Sequence, residues 1–419
     1  MIDLSLAQSV LLYDFYKENL FSKLPPITQD DLRYPAQYYG LDNMRHSIAR
    51  FLKESWGVHD IGYQDVFAVS GAAAGLECIA FSLREAAGPG GSRGSVILPA
   101  PCWDGFQYAF QQRSNMVLCP FDLKKEFHLT LADVQRAYRA RLEADGRAPA
   151  ILILTNPQNP LATNYEPSLL EEIYDWVLAE TEMNIVSDEM YTHCQVQVPD
   201  PGPPFRSALS LDACRRHPGE AANRVHVVWG LSKDFGLAGF KIGFVVSRSW
   251  AIRSQMGSGS NVYHSMTSFS PFSTLDAYEV GPLFLKGQVP DPSLAKKAMT
   301  EMVRILTERY RAVAKQLQDL EIPYVGESHS ALFFFLDLRK YLGRLPVPDP
   351  NTPIYLYIDP IESTLNNQII QYGGVKLLPG GVLSTPQPGY FRLCYTGWDQ
   401  DVVEQGIDGL AKALKSLHA

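Results

Sequence analysis

The chain has 419 residues, of which 46% are hydrophobic and 20% charged, a balance typical of a globular protein with a large buried core. Its formal net charge is -8, and no block of Lys and Arg creates a local field that would attract nucleic acid. The N-terminus lacks the basic region of a signal peptide, and no apolar stretch approaches the roughly 18 residues that a membrane-spanning helix needs. We therefore expect a cytoplasmic protein that binds neither nucleic acid nor membrane.

The six cysteines are spread along the chain, at positions 78, 102, 119, 194, 214 and 394. None belongs to a CxxC pair, the spacing typical of zinc sites and redox motifs. Disulfide frameworks are typical of much shorter secreted chains. We interpret these cysteines as buried thiols and expect no metal site.

Four short runs rich in Val, Ile and Leu predict buried strands. They are residues 95–101, 149–157, 183–189 and 224–232, and each ends in turn or polar residues. Between the second and third runs, residues 166–181 carry apolar side chains on one helical stripe, with Pro167 in the first turn. A strand, a helix and a strand in this order indicate a parallel crossover. We therefore predict an α/β fold with a doubly wound, mostly parallel sheet.

The pattern changes in the last third of the chain. A long helical pattern follows residues 290–293 and runs to about Leu320, and Pro323 marks its end. After it, SALFFFLDLRKYL and YFRLCYTG have the composition of strands. These segments predict a smaller α+β unit.

Ligands of doubly wound sheets bind at the carboxyl ends of the strands, so the residues that follow the four runs are candidates for a site. Lys233, Asp188 and Asn159 follow the fourth, third and second runs, and Trp103 follows the first. Farther upstream, residues 69–77 place Gly and Ala at a strand-to-helix turn, a geometry that binds phosphate. Each feature alone also fits a solvated charge, a helix cap or core packing. Together they predict a ligand with a phosphate, a flat ring and an electrophilic carbon.

Six motifs in order carry a family resemblance: LSLAQSVLLYDF, QYYGLDNMRHSIARFL, TNPQNPLAT, SDEMYTHC, GLSKDFGLAGFKIG and QPGYFRLCYTG. They resemble the fold-type I pyridoxal-phosphate enzymes of the class I/II aminotransferase branch, most closely the subgroup that contains 1-aminocyclopropane-1-carboxylate (ACC) synthase. The resemblance implies pyridoxal 5'-phosphate as cofactor, an amino-acid substrate and a homodimer. It also implies a seven-stranded, mostly parallel sheet in a large domain at residues 35–290, with a small α+β domain formed by residues 1–34 and 291–419.

The resemblance implies a role for each residue around the cofactor ring. Lys233 would be the catalytic residue, forming the Schiff base and moving the Cα proton; a desolvated, cationic pocket would lower its pKa. Asp188 would pair with the pyridine nitrogen, so that the ring accepts electrons from Cα. Asn159 and Tyr191 would hydrogen-bond the phenolic oxygen. Trp103 would stack on the ring, where the subgroup commonly has Tyr.

The resemblance places the phosphate on the residues Ala72, Ala73, Ser232 and Lys241, and on Tyr38 of the partner subunit. The chain departs from the family motif twice here. The first serine of the motif is Gly230, and its arginine is Lys241, so that a hydroxyl and a bidentate fork are absent. We therefore predict weaker cofactor retention than in relatives.

The resemblance implies that Arg392 binds the substrate α-carboxylate through two parallel N–H bonds. The alternative is a strand arginine paired with Asp399 or Glu404. Near the N-terminus, Ala7 and Gln8 stand where the subgroup has Ala-Glu, and Gln8 lacks the charge with which Glu would attract a cationic group.

Two reactions therefore stay open. The first, which we prefer, is an aminotransferase. The second is an ACC synthase-like γ-elimination or γ-replacement on S-adenosylmethionine, with cyclisation or capture of an outside nucleophile. A non-catalytic relative is disfavoured, because Lys233, Asp188, Asn159, Tyr191 and Arg392 are all present.

Overall fold

The structure is a computed structural model. It describes residues 1–24, 26–29, 33, 39–58, 60–85, 91–125, 127–219, 221–254, 256, 280–287, 289–326, 329–345 and 358–417. Tyr38 lies outside the described residues. Within the described part of the chain, no helix is both long enough and apolar enough to cross a membrane.

Fourteen strands are present in the described residues. In chain order they are β1 (Ile2–Asp3), β2 (Val66–Val69), β3 (Ser95–Pro99), β4 (Val117–Phe121), β5 (Ile151–Thr155), β6 (Asn184–Asp188), β7 (Val225–Gly230), β8 (Gly243–Ser247), β9 (Leu285–Lys286), β10 (Val289–Pro290), β11 (Phe333–Asp337), β12 (Val375–Lys376), β13 (Leu378–Pro379) and β14 (Tyr390–Cys394).

The α-helices of the described residues include short single turns and long amphipathic helices. They are Tyr13–Asn19, Asp42–Trp56, Ala72–Leu83, Leu131–Asp145, Pro167–Glu180, Ala213–Arg216, Leu231–Asp234, Trp250–Arg253, Ser293–Asp319, Pro360–Gln368 and Gln400–Ser416. Gly57 and Gly146, both in the left-handed region, end the second and fourth of them.

A seven-stranded sheet forms the centre of the fold, in the order β2-β8-β7-β6-β5-β3-β4. β8 is antiparallel to both of its neighbours, and the other pairs are parallel. The four predicted strands are confirmed as β3, β5, β6 and β7. Every residue of β3, β5 and β7 is buried, because helices cover both faces of a doubly wound sheet. The predicted α/β class with a mostly parallel sheet is therefore confirmed.

The C-terminal third of the chain contains a second sheet, which is antiparallel and has the strand order β11-β14-β13. The predicted long helix is Ser293–Asp319, and it buries an apolar stripe that includes Met302, Leu306 and Val313. The predicted strands at residues 330–342 and 390–397 are confirmed as β11 and β14. The division into domains at residues 35 and 290 stays a prediction.

The N-terminal segment is held against this second unit by backbone pairing. β1 runs parallel to β12, the amide of Cys394 donates to the carbonyl of Leu4 (2.8 Å), and Val10 donates to Thr396 (2.9 Å). These bonds fix residues 5–8 between β14 and the carboxyl end of the central sheet. The N-terminal segment therefore forms one wall of the space described next.

Candidate active site

A cavity of about 430 Å³ lies at the carboxyl ends of the central parallel strands. Every predicted site residue that the structure describes lines it, and these residues are Ala7, Gln8, Ala72, Ala73, Trp103, Asn159, Asp188, Tyr191, Ser232, Lys233, Lys241 and Arg392. They come from segments far apart in the sequence, as expected for a site at the strand ends of a doubly wound sheet.

Lys233 lies in the short helix Leu231–Asp234, directly after β7. The helix is anchored by its buried neighbour Asp234, whose carboxylate accepts hydrogen bonds from the Thr192 hydroxyl (2.7 Å), the His193 amide (2.9 Å) and the Trp229 indole (2.8 Å). With the backbone fixed in this way, the Lys233 Nζ donates to the carbonyl of Ala7. The amine is therefore held inside the cavity by a neutral acceptor.

Burial shifts the pKa of both the amine and the acid of the cavity toward the neutral form. Burial, together with the positive charges of Arg392 and Lys241, lowers the pKa of Lys233 to about 8. Burial raises the pKa of Asp188 to about 7, although the Met190 amide and the Lys233 charge oppose that rise. Asp188 Oδ1 is buried without a hydrogen-bond partner. A ligand that brings a positively charged N–H group to this oxygen would satisfy it.

Arg392 projects from β14 into the same cavity. One terminal nitrogen donates to Asn159 Oδ1 and the other to the carbonyl of Ser5, both at 2.9 Å, and its guanidinium lies 5.0 Å from the centre of the Phe333 ring. Its Nε is buried without a partner. The alternative pairing with Asp399 or Glu404 is wrong, because the Arg392 side chain is buried among these other groups.

The turn after β2 has an open helix terminus. Gly71 has a φ of 82°, and no side chain caps the helix Ala72–Leu83 that follows, so its first amides are free of an intrahelical partner. β8 packs tightly against this turn: a Cβ on Gly243 would lie 2.6 Å from the amide nitrogen of Ala72. Lys241, just before β8, is exposed and also lies beside Gly71. Open amides and a nearby ammonium group are suited to phosphate.

The packing around Gly230 explains why a glycine replaces the first serine of the family motif. A Cβ at this position would lie 2.8 Å from the carbonyl oxygen of Ile242 and 3.1 Å from the Cα of Gly243. The close approach of β8 therefore leaves no room for a serine, and the missing hydroxyl follows from the packing of β7 on β8.

The second departure, Lys241, leads to a testable result. Because a lysine makes point contacts where an arginine makes two parallel N–H bonds, we expect the native protein to lose cofactor on dialysis. Lys241→Arg should slow that loss severalfold, measured as protein-bound cofactor absorbance against time. Lys412→Arg, on an exposed face of the last helix, is the matched control and should behave as the native protein. Full cofactor retention by the native protein would contradict the prediction.

Trp103 can occupy its position because Gly105, two residues later, has no side chain. A Cβ on Gly105 would lie 2.2 Å from two carbons of the Trp103 indole, although the Gly105 backbone is outside the left-handed region. The indole also packs edge-on against Phe106, with ring centres 5.4 Å apart. The Trp103 ring therefore lies over the backbone of its own turn.

Gly105→Ala should displace the Trp103 ring and weaken cofactor binding about tenfold, since overpacking of this kind costs roughly 1–3 kcal/mol. Titration of the cofactor-free protein, followed by tryptophan fluorescence, measures the effect. Gly343→Ala adds a methyl group where no atom of the described residues lies within 4 Å, and it should leave the affinity unchanged. Equal affinities in the two variants would contradict this account of the Trp103 position.

The polar groups that the sequence did not reveal are Asp104 and two backbone carbonyls of the cavity, and Gln158 outside it. Asp104 lines the cavity directly beside Trp103. The carbonyls of Ser5 and Ala7 accept hydrogen bonds from Arg392 and Lys233, respectively. Outside the wall, Gln158 donates to the carbonyl of Pro101 (2.6 Å) and accepts from the amide of Leu161 (2.7 Å), which ties the Trp103 turn to the Asn159 turn. Asp104 follows Trp103 in sequence and could have been identified there; the carbonyl contacts carry no sequence signal.

The donor set fits pyridoxal 5'-phosphate. The buried, unpartnered Asp188 oxygen suits a protonated ring nitrogen, and the open amides beside Lys241 suit a phosphate. An amine of lowered pKa suits an aldehyde. Fold and cavity together define a fold-type I pyridoxal-phosphate-dependent enzyme.

The comparisons with known proteins agree. The profile described as aminotransferase class I and II matches residues 27–410, so the chain belongs to this family. It is 27% identical to a 1-aminocyclopropane-1-carboxylate synthase of Glycine max over 96% of this chain and 78% of that one. It is 28% identical to a synthase of the same name from Vigna radiata var. radiata, over 85% and 88%.

Solved structures share the fold. An aromatic aminotransferase from Pyrococcus horikoshii OT3 superposes with a TM-score of 0.72 at 20% identity, covering 99% of this chain and 95% of that one. Aspartate aminotransferase from Thermus thermophilus with maleate gives 0.69 at 17%, covering 99% and 91%. The protein is thus a pyridoxal-phosphate-dependent enzyme that acts on amino acids.

Proposed function

We propose that the protein is an aminotransferase in which Lys233 moves the Cα proton of an amino-acid substrate held by Arg392. One observation carries the proposal: an amine of lowered pKa and a buried guanidinium that has no carboxylate partner among the described residues line one cavity. The first group supplies a base, and the second supplies a binding site for a carboxylate.

Pyridoxal 5'-phosphate, when bound, supplies a carbon that reacts with amines and a ring that accepts the electrons released at Cα. When the pH is near the Lys233 pKa of about 8, a substantial fraction of the amine is unprotonated. Nζ can then accept a proton from substrate and return it. The carbonyl of Ala7 orients Nζ, and Asp234 fixes the helix that carries it. Arg392 orients the substrate through its carboxylate.

The other predicted residues would hold the cofactor. Asp188 would pair with the ring nitrogen, and this charge pair would keep Asp188 ionised in spite of its burial. Asn159 and Tyr191 would bind the phenolic oxygen and Trp103 would cover the ring. The residues proposed for the phosphate are Ala72, Ala73, Ser232 and Lys241.

We also propose a homodimer in which Tyr38 of the partner subunit contacts the phosphate. The proposed location is the cytoplasm. Movement of the C-terminal unit, which carries Arg392, would close the cavity and exclude water once substrate is bound.

The curated relatives favour a second candidate, γ-elimination or γ-replacement on S-adenosylmethionine. Both relatives described above are named as 1-aminocyclopropane-1-carboxylate synthases. In this reaction Lys233 would remove the Cα proton and then a Cβ proton. Gln8 and Trp103 stand where the resemblance implies a carboxylate and a phenol, and these two changes are the reason for placing transamination first.

The two candidates are separated by adding substrates without a keto acid. An aminotransferase converts its cofactor stoichiometrically to the pyridoxamine form with an ordinary amino acid and then stops. The γ-reaction releases methylthioadenosine from S-adenosylmethionine catalytically and leaves the cofactor unchanged. Catalytic release of methylthioadenosine, with no pyridoxamine form from any amino acid, would contradict the proposed transamination.

A further inference from the structure

Asp104 is a charged residue of the active site with no part in the chemistry described so far. It follows Trp103 in the turn after β3 and lines the same cavity as Lys233 and Arg392. It is half-buried, and the packing of Trp103 over Gly105 fixes the turn on both sides of it. Asp104 therefore lies beside the space that substrate would occupy.

The charges that line the cavity leave Asp104 without a counterpart. The cations are Lys233, Lys241 and Arg392, and the carboxylates are Asp104 and Asp188, among the residues that the structure describes there. Under the proposed function, the phosphate takes Lys241, the substrate carboxylate takes Arg392 and the ring nitrogen takes Asp188, while Lys233 has to be uncharged to act as a base. Asp104 is then the carboxylate of the cavity to which the proposed function assigns no cation.

Asp104 is not a structural partner of Arg392. The terminal nitrogens of Arg392 donate to Asn159 and Ser5, and Arg392 acts on Asp104 only through its charge at longer range. Burial raises the pKa of Asp104, while the Arg392 charge and the amides of Asp104 and Gly105 oppose that rise. A half-buried carboxylate held mainly by its own turn gains most from a cation supplied by a ligand.

We propose that Asp104 selects amino-acid substrates whose side chains carry a positive charge. The inference rests on the proposed function, which assigns the other charges of the cavity, and it adds the substrate class. Gln8, on the same cavity wall, offers only an uncharged amide, so discrimination by charge rests on Asp104.

The test compares ornithine with citrulline, in which a neutral ureido group replaces the side-chain ammonium group. Their affinities for the cofactor-loaded protein are measured by rapid mixing, from the initial absorbance change that precedes any conversion of the cofactor, and amino-group transfer is measured separately. We expect ornithine to bind about tenfold or more tightly than citrulline. Asp104→Asn keeps the shape of the side chain and should bring the ratio close to one by weakening ornithine alone. Asp122→Asn removes an equal charge from an exposed position outside the cavity and should leave the ratio unchanged.

Two results would overturn the inference. One is equal binding of ornithine and citrulline by the native protein. The other is an Asp104→Asn variant that weakens both ligands equally, as expected if Asp104 only supports Arg392. The proposed function fails separately: charge-selective binding without amino-group transfer would refute transamination and keep the inference, whereas transfer without charge preference would do the reverse.

Discussion

Lys233→Ala is expected to reduce turnover at least about a thousand-fold, because it removes both the nucleophile and the base of the proposed reaction. The rate is measured as conversion of the cofactor to its pyridoxamine form under saturating substrate. The Arg392 contacts with Asn159 and Ser5 do not involve Lys233, so substrate should still bind. A near-native rate in this variant would rule out Lys233 as the catalytic residue.

Loss of the fold is not expected to explain that result. The pKa of Lys233 is lowered from 10.5 to about 8 in the folded protein, so the unfolded chain binds more protons between these values. The contribution of Lys233 to the free energy of unfolding of the cofactor-free protein should therefore rise with pH from about 8 to 10.5, measured as the difference between the native protein and Lys233→Ala. Lys233→Ala should lack this contribution and be at least as stable at pH 7. Lys412→Ala, on the surface, should keep the pH profile of the native protein.

Arg392→Lys is expected to raise the KM for an amino acid about 10- to 100-fold, with a smaller effect on kcat. The variant keeps a positive charge but loses the planar fork that matches a carboxylate, and bonds to charged groups are worth roughly 1.5–3 kcal/mol each. Steady-state kinetics with the preferred substrate measure the effect. Arg309→Lys, at a site whose arginine donates to the Trp398 carbonyl outside the cavity, is the matched control.

A second comparison uses the amine that corresponds to the preferred amino acid without its carboxylate. Native protein should strongly prefer the amino acid to the corresponding amine, and Arg392→Lys should lose most of that preference by weakening only the amino acid. If the variant weakens acid and amine alike, Arg392 supports the architecture of the cavity rather than the substrate carboxylate.

The central strands could be predicted from sequence because burial on both faces makes them continuous apolar runs. β3, β5 and β7 have this pattern, and β6 has a shorter apolar centre, Ile185 and Val186. β4 does not, since it is an edge strand whose residues are exposed or half-buried. β8 is buried throughout, but its antiparallel place between β2 and β7 depends on long-range pairing that local composition does not encode.

The predicted side chains of the site could be found because their chemistry is unusual at strand ends. Lys233, Asp188 and Arg392 line one cavity, as the family motifs imply. The carbonyls of Ser5 and Ala7 could not be predicted, because every residue carries such a group. Their position follows from the pairing of β1 with β12 and of Leu4 with Cys394. Tertiary placement of a short segment, rather than residue type, made them part of the site.

Two ionisable side chains of the cavity have charged forms that the cofactor-free fold stabilises poorly. Asp188 is buried with an unpartnered oxygen, and Lys233 is held by a neutral carbonyl. Both pKa values move toward the neutral form, which indicates that the cofactor-free fold does not stabilise these charges. Such groups are expected where a ligand supplies the missing partners.

The lysine that binds the cofactor covalently can be identified by chemical reduction. The purified protein, loaded with pyridoxal 5'-phosphate, is reduced with borohydride, digested and analysed by mass spectrometry. The account predicts loss of the visible absorption band and a reduced pyridoxyl group on the peptide that contains Lys233. A reduced group on another lysine, or a band that borohydride does not remove, would contradict the assignment of Lys233 and the mechanism built on it.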